Sequence, residues 1–130
     1  MGEKYTNIGL LVIRTGIGAM FIYHGLPKIM GGMNTWGELG KAMGSVGIPV
    51  MPHFWGFMAA FSEVFGGISL ITGILFRPFC GLLVIDMIVA SAMHLRGGQG
   101  LMVASHAIEV GIVFLGLLIS GPGKYRIGKF

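Results

Sequence analysis

The chain has 130 residues, enough for one domain, and 54% of them are hydrophobic whereas only 11% are charged. Soluble domains carry about 25% charged residues, so this chain must turn much of its surface toward lipid. The formal net charge of +4 does not indicate nucleic-acid binding, because the nine Lys and Arg residues lie mostly between apolar runs and form no basic stripe.

Four apolar segments have the length of a membrane span, which is about 20 residues for a hydrocarbon core of about 30 Å. In chain order they cover residues 8–27, 54–76, 78–95 and 101–120. The first ends at Pro27, and the last stops before Gly121-Pro122-Gly123, a strong helix stop. In lipid only helices or closed barrels satisfy the backbone polar groups, and these runs lack the alternation of a barrel. We therefore expect four transmembrane helices.

The connections between these segments predict how the helices are arranged. Very few residues separate the second segment from the third and the third from the fourth, and such tight turns make neighbouring helices antiparallel. The predicted fold is all-α, an integral membrane antiparallel four-helix bundle that forms a single transmembrane domain over residues 1–130. Five basic residues flank the end with both termini and three flank the other end, which predicts cytoplasmic termini.

The one long connection, residues 28–53, is predicted to be an interfacial loop that contains a short amphipathic helix. Thr35 and Glu38 have the spacing of a capping box, and Trp36 begins an apolar helical face that would lie in the membrane interface. The alternative is a connector without a helix, because six glycines in this stretch weaken helix formation.

Seven ionisable residues lie within the predicted spans or at their margins. A charge near the bilayer centre costs at least ~2.5–3.5 kcal/mol on insertion scales, so these groups should turn inward and compensate one another. Four of them are predicted to form a buried polar core: Arg14, Glu63, Asp86 and Glu109. Depths counted at 1.5 Å per residue predict that Arg14 pairs with Asp86 or Glu63, either to fix helix register or in a functional role.

A second group lies toward the opposite end of the helices and is predicted to line a ligand pocket: His24, Lys28, His94 and His106. One interpretation is a site for a quinone-like headgroup, whose carbonyls would accept hydrogen bonds from imidazoles. Another is a metal site, which helical bundles build from His and Glu on facing helices. Without an E-x-x-H pair we assign no metal ligands. The third interpretation is that the histidines only satisfy hydrogen bonds near a wet interface.

Four stretches, in this order along the chain, resemble the DoxX family. They are RTGIGAMFIYHGLPK at residues 14–28, SEVFGGISLITG at 62–73, HAIE at 106–109 and GPGKY at 121–125. The resemblance implies a four-helix protein of a bacterial or archaeal cytoplasmic membrane that is associated with oxidoreductase chemistry. Relatives in that family include the membrane subunit of a thiosulfate:quinone oxidoreductase, and more distant ones act as membrane-protein chaperones or cargo receptors.

The leading hypothesis is a membrane subunit of a quinone- or thiol-linked redox complex, with a soluble redox partner and a quinone as the ligand. The alternatives are a non-enzymatic scaffold or assembly factor and a proton-linked small-solute carrier. Because Cys80 is the only cysteine and no nucleotide-binding loop is present, we assign no catalytic residues and expect no catalysis by the chain alone. The lipid bilayer is the expected partner, and a homo-oligomer stays open.

Overall fold

The computed structural model describes residues 2–127. In chain order the helices are α1 (Gly2–Met30), α2 (Gly32–Gly40), a 3-10 helix (Lys41–Val46), α3 (Pro52–Thr72), α4 (Phe76–Arg96) and α5 (Gly100–Ser120). Helices α1, α3, α4 and α5 are each long and apolar enough to cross a membrane. No strand occurs in the described range. The prediction of an all-α, four-helix membrane bundle is confirmed.

The four spanning helices alternate in direction, so the bundle has two distinct ends. We call the end where α1 begins and α5 stops the terminus end, and the end that carries α2 and the 3-10 helix the loop end. Helix α1 packs on α3, α3 on α4, and α4 on α5. Only residues 73–75 separate α3 from α4, and only residues 97–99 separate α4 from α5. Connections this short leave no alternative to antiparallel neighbours.

Helices α1 and α3 approach closely because glycines face each other at their crossing. A Cβ atom on Gly18 would lie 2.7 Å from the carbonyl oxygen of Gly67, and a Cβ atom on Gly67 would lie 2.5 Å from the carbonyl oxygen of Gly18. Two turns further along α1, a Cβ atom on Gly25 would lie 2.8 Å from the Cβ atom of Glu63. Small residues at such positions let two membrane helices pack backbone against backbone. This crossing therefore fixes the register that brings the end of α1 beside Glu63.

The segment between α1 and α3 contains a short helix around Trp36, as predicted, and it is followed by a 3-10 helix. Helix α1 is longer than the predicted 8–27, since it begins at Gly2 and continues through Pro27 to Met30. Helix α2 begins at Gly32, and no side chain caps its first turn. The predicted capping box is therefore wrong, and Glu38 instead pairs with Lys41 at 3.0 Å. The reason is that α2 begins three residues before Thr35, which therefore lies inside the helix and not at its cap. The indole Nε1 of Trp36 donates to the carbonyl oxygen of Lys28 and so joins α2 to the end of α1.

The apolar core fills the half of the bundle near the terminus end. Its fully or nearly fully buried members are Phe21, Leu70, Phe76, Cys80, Leu83, Phe114 and Leu117. The rings of Phe21 and Phe114 meet edge to face with centroids 4.9 Å apart, which joins α1 to α5. The half of the bundle near the loop end is less densely filled, and Glu63 and Asp86 lie there.

Candidate functional site

Arg14 is fully buried near the terminus end and makes its hydrogen bonds with backbone carbonyls. Its Nε donates to Leu70 O at 2.9 Å and its Nη2 to Ile71 O at 3.1 Å, both in the last turn of α3. Its Nη1 donates to Pro122 O at 2.8 Å and to Tyr125 O at 2.5 Å, both after α5. These contacts tie α1 to the end of α3 and to the chain beyond α5.

The prediction that Arg14 pairs with Asp86 or Glu63 is therefore wrong. The last four carbonyls of a helix have no partner within the helix, and they carry the negative end of its dipole. The guanidinium group has five donors in a fixed fork, so it satisfies several such carbonyls without any carboxylate. A depth count along single helices could not reveal this, because the carbonyls of a helix end are the same for every sequence.

A cavity of about 640 Å³ occupies the half of the bundle near the loop end. Side chains from all four spanning helices line it, and α2 and the 3-10 helix contribute Leu39 and Met43. Most of the lining is apolar, with a small set of polar groups among it. A mainly apolar pocket with a few convergent polar groups is the usual form of a small-molecule site.

One ion pair crosses this cavity between α1 and α3. The Nζ of Lys28 lies 2.9 Å from Oε1 and 3.2 Å from Oε2 of Glu63. The side chain of Glu63 is 7% exposed, whereas that of Lys28 is 35% exposed. The carboxylate thus belongs to the interior, and the aliphatic stem of the lysine reaches in from the edge with its charged head. Sequence analysis assigned Glu63 to the buried polar core and Lys28 to the ligand pocket, and it did not pair them.

Asp86 on α4 adds a second carboxyl group to the same cavity. It lies near both Glu63 and Lys28. Its Oδ2 atom is buried and has no hydrogen-bond partner among the described residues. Two carboxyl groups therefore share one ammonium group. Charge balance in this trio requires one further proton or a donor from a bound molecule.

Trp55 is the functional candidate that sequence analysis missed. Its indole Nε1 is also buried without a partner in the described part of the chain, and its side chain lines the cavity. The signal was present in the helical spacing, because Trp55, Ala59 and Glu63 recur every four residues and share one face of α3. Two residues that line the cavity thus carry a buried polar atom, one a donor and the other an acceptor, that no described residue satisfies.

The three histidines of the predicted ligand pocket all line this cavity, together with Lys28. His24 on α1 and His106 on α5 are both exposed at its edge. His94, at the end of α4, forms a hydrogen bond with Gln99. Within residues 2–127, no three His, Cys, Asp or Glu side chains come together as a group that could hold a metal ion. The role of these residues as ligand contacts stays a prediction.

Helices α1 and α5 both border the cavity. No backbone contact joins these two helices in the described residues, although both contribute lining side chains. The Phe21–Phe114 contact closes the space toward the terminus end. His24 on α1 and His106 on α5 are exposed and also line the cavity.

Glu109 does not belong to this site, and the prediction that it lies in the buried polar core is wrong. It is exposed on α5, whose buried residues are Ala104, Ala107, Phe114 and Leu117. At 100° per residue, Glu109 points almost directly away from that face. The polar core is thus divided: Arg14 lies at the terminus end, Glu63 and Asp86 line the cavity, and Glu109 faces outward.

The family model DoxX matches residues 9–96 of the chain. The matched range runs from α1 to the end of α4 and includes Lys28, Glu63 and Asp86, whereas α5 lies beyond it. No curated protein and no solved structure matches the chain. Since the match covers about two thirds of its length, and four of its helices are candidate membrane spans, the chain belongs to the DoxX family and is a multi-pass membrane protein.

Proposed function

We propose that this chain is the membrane subunit of a redox complex and that its cavity binds the headgroup of a membrane quinone. The observation that carries the proposal is a pair of buried polar atoms without partners among the described residues, Trp55 Nε1 and Asp86 Oδ2, on two side chains that line one mainly apolar cavity. Leaving a buried donor or acceptor unsatisfied costs about 1–3 kcal/mol. A ligand with a carbonyl oxygen for the indole N–H and a hydroxyl group for the carboxylate would recover that free energy.

The size and position of the cavity support a lipophilic ligand of this kind. Its volume of about 640 Å³ falls within the usual range of small-molecule sites. A headgroup that enters between α1 and α5 can leave an isoprenoid tail among the lipid acyl chains. By the positive-inside argument, the cavity would lie in the half of the membrane away from the cytoplasm.

The polar groups of the cavity support a role in holding protons for such a ligand. A quinone accepts two electrons and two protons when it is reduced, and we assign the electrons to a soluble reductase or dehydrogenase partner. Lys28 compensates one of the carboxylates of Glu63 and Asp86, so the neutral trio contains one exchangeable proton. His24 and His106 at the cavity edge are groups through which a proton could be replaced.

The binding site can be tested on the purified chain in lipid nanodiscs. Short-tailed ubiquinone and menaquinone analogues should bind saturably. Trp55→Phe removes the N–H together with part of the indole ring, and Asp86→Leu removes the carboxyl group at similar size. Each substitution should weaken binding about five- to tenfold, which corresponds to the loss of one hydrogen bond of about 1 to 1.5 kcal/mol. His53→Ala is the matched control, because His53 does not line the cavity.

Three results would contradict the proposal: no saturable binding, equal affinity of wild type and both cavity variants, or equal loss in the control. Affinity purification from native membranes tests the complex. A redox complex predicts that a soluble reductase or dehydrogenase is recovered, whereas many unrelated membrane proteins would favour an assembly factor. Solute-dependent proton flux in proteoliposomes would favour a carrier.

A further inference from the structure

A single acidic side chain faces outward from the middle of α5. Glu109 is the tenth of the 21 residues of this helix and so lies about 14 Å from its start, near the centre of a span of about 30 Å. It is exposed, and among residues 2–127 it has neither an ion pair nor a hydrogen bond. A lone carboxyl group among acyl chains is strongly unfavourable, and intramembrane acids almost always face protein or water. Another protein surface is therefore expected to cover it.

The residues around Glu109 form a regular stripe along α5, which we call the α5 seam. Its members are Met102, Ser105, Glu109, Ile112, Gly116 and Ile119. Successive members are three, four, three, four and three residues apart. Five of these are exposed and Ser105 is half-buried, so none packs into the bundle core. This is the spacing of the seam between two helices that pack as a left-handed coiled coil.

We propose that the α5 seam is the interface of a homodimer in which two copies are related by a two-fold axis along the membrane normal. Both copies have the same orientation in the membrane, so such an axis packs the two α5 helices in parallel and brings equal depths together. Each Glu109 then meets the other. With both groups protonated, each carboxyl group donates an O–H hydrogen bond to the other, so the pair is neutral and neither group remains in contact with lipid.

The composition of the seam favours a second copy over a different protein. The seam carries one acid and no base, so a self-paired carboxyl satisfies it without a cation from elsewhere. A Cβ atom on Gly116 would meet no atom of its own chain within 4 Å, so this glycine leaves room for close approach of another backbone. Along the seam the large Ile112 and Ile119 lie on either side of this small residue, so the side chains of two facing helices can interdigitate.

Oxidative cross-linking in native membranes tests where the copies meet. Ile112→Cys should form a disulfide-linked dimer, whereas Ile88→Cys on α4 should not. Ile112 and Ile88 are matched, being 65% and 58% exposed on spanning helices. The native Cys80 is fully buried, so wild type is a suitable blank. Equal cross-linking of both variants, cross-linking of Ile112→Cys to a different protein, or no cross-linking at all would overturn the proposal.

Disruption of the seam provides an independent test by single-molecule subunit counting in liposomes. Glu109→Leu should weaken dimerisation about three- to fifteenfold, the range of one interhelical hydrogen bond in a membrane, and Glu109→Gln should largely retain it. Gly116→Leu should abolish the dimer by steric overlap. Gly16→Leu on α1 is the control, because a Cβ there also meets nothing within 4 Å. A monomeric wild type, or equal effects of Gly116→Leu and Gly16→Leu, would contradict the inference.

Discussion

Replacing Arg14 by leucine should strongly destabilise the protein, because four carbonyl oxygens lose their donor. They belong to Leu70, Ile71, Pro122 and Tyr125. A hydrogen bond to a charged group contributes about 1.5–3 kcal/mol, but bonds made by one side chain are not additive. These carbonyls also lie near the terminus end of the bundle, where water can replace part of the loss. We expect the free energy of unfolding to fall by about 3–5 kcal/mol.

The single cysteine provides a built-in assay for this loss. Cys80 is fully buried in the apolar core, so a thiol reagent can reach it only when the bundle opens. When opening and closing are fast relative to labelling, the rate follows the population of the open form. Since each 1.4 kcal/mol corresponds to about tenfold, Arg14→Leu should accelerate labelling by about two to three and a half orders of magnitude. The labelling rate of Arg14→Lys should lie between those of wild type and Arg14→Leu, because a lysine has three donors and no planar fork.

Arg77→Leu is the control for this experiment. Arg77 lies at the same end of the bundle and donates to a single carbonyl oxygen, that of Leu118 at 3.1 Å, from an exposed position. Its removal should change labelling by less than about tenfold. Labelling of Arg14→Leu within tenfold of wild type, or no faster than that of Arg77→Leu, would refute the argument that backbone carbonyls make this arginine indispensable.

Three further predictions follow from the packing and the cavity. Gly67→Ala should lower the thermal midpoint by the equivalent of about 1–3 kcal/mol, since its Cβ would lie 2.5 Å from a carbonyl oxygen of α1, whereas Gly16→Ala should be neutral in the same thermal scan. Lys28→Met should lower the free energy of unfolding, measured by denaturant titration, by about 2–3 kcal/mol, which is less than is usual for a buried ion pair because this lysine is a third exposed. The control Lys41→Met, which removes an exposed ion pair, should change it by less than about 0.5 kcal/mol. Asp86→Leu should leave the thermal midpoint of the unliganded protein unchanged or slightly higher, since the buried Oδ2 atom has no partner among the described residues, so a large decrease would contradict an unsatisfied acceptor.

The sequence was sufficient for the spanning helices because hydropathy over about 20 residues measures a physical requirement of the bilayer directly. It was not sufficient for the pairing of Lys28 with Glu63, which lie 35 residues apart on different helices. That pairing depends on the register of α1 against α3. The register is set by the contact between Gly18 and Gly67, and glycine has no side chain whose polarity or volume would have marked it as an anchor.

Glu109 shows how a local spacing can mislead. His106 and Glu109 are three residues apart, so they are neighbours on the helix surface, and the prediction placed both inside the bundle. Three residues still rotate the helix by 300°, which is 60° short of a full turn. His106 therefore reaches the edge of the cavity while Glu109 turns away from it. Ala107 and Phe114, which are two turns apart and both buried, define the inward face of α5 better than the pair of His106 and Glu109 does.

The way in which Arg14 is satisfied determines the chemistry available at the other end of the bundle. If this arginine paired with Asp86, each acid in the interior would have its own base and the cavity would be neutral without a ligand. Backbone carbonyls instead take up the hydrogen bonds of the guanidinium group. Apart from the histidines, Lys28 is then the only base among the described residues of the cavity that can compensate Glu63 and Asp86. The surplus carboxyl group is the one with an unsatisfied buried oxygen. An anchor that serves only the fold thus leaves an acid in the cavity that requires a proton or a donor from a ligand.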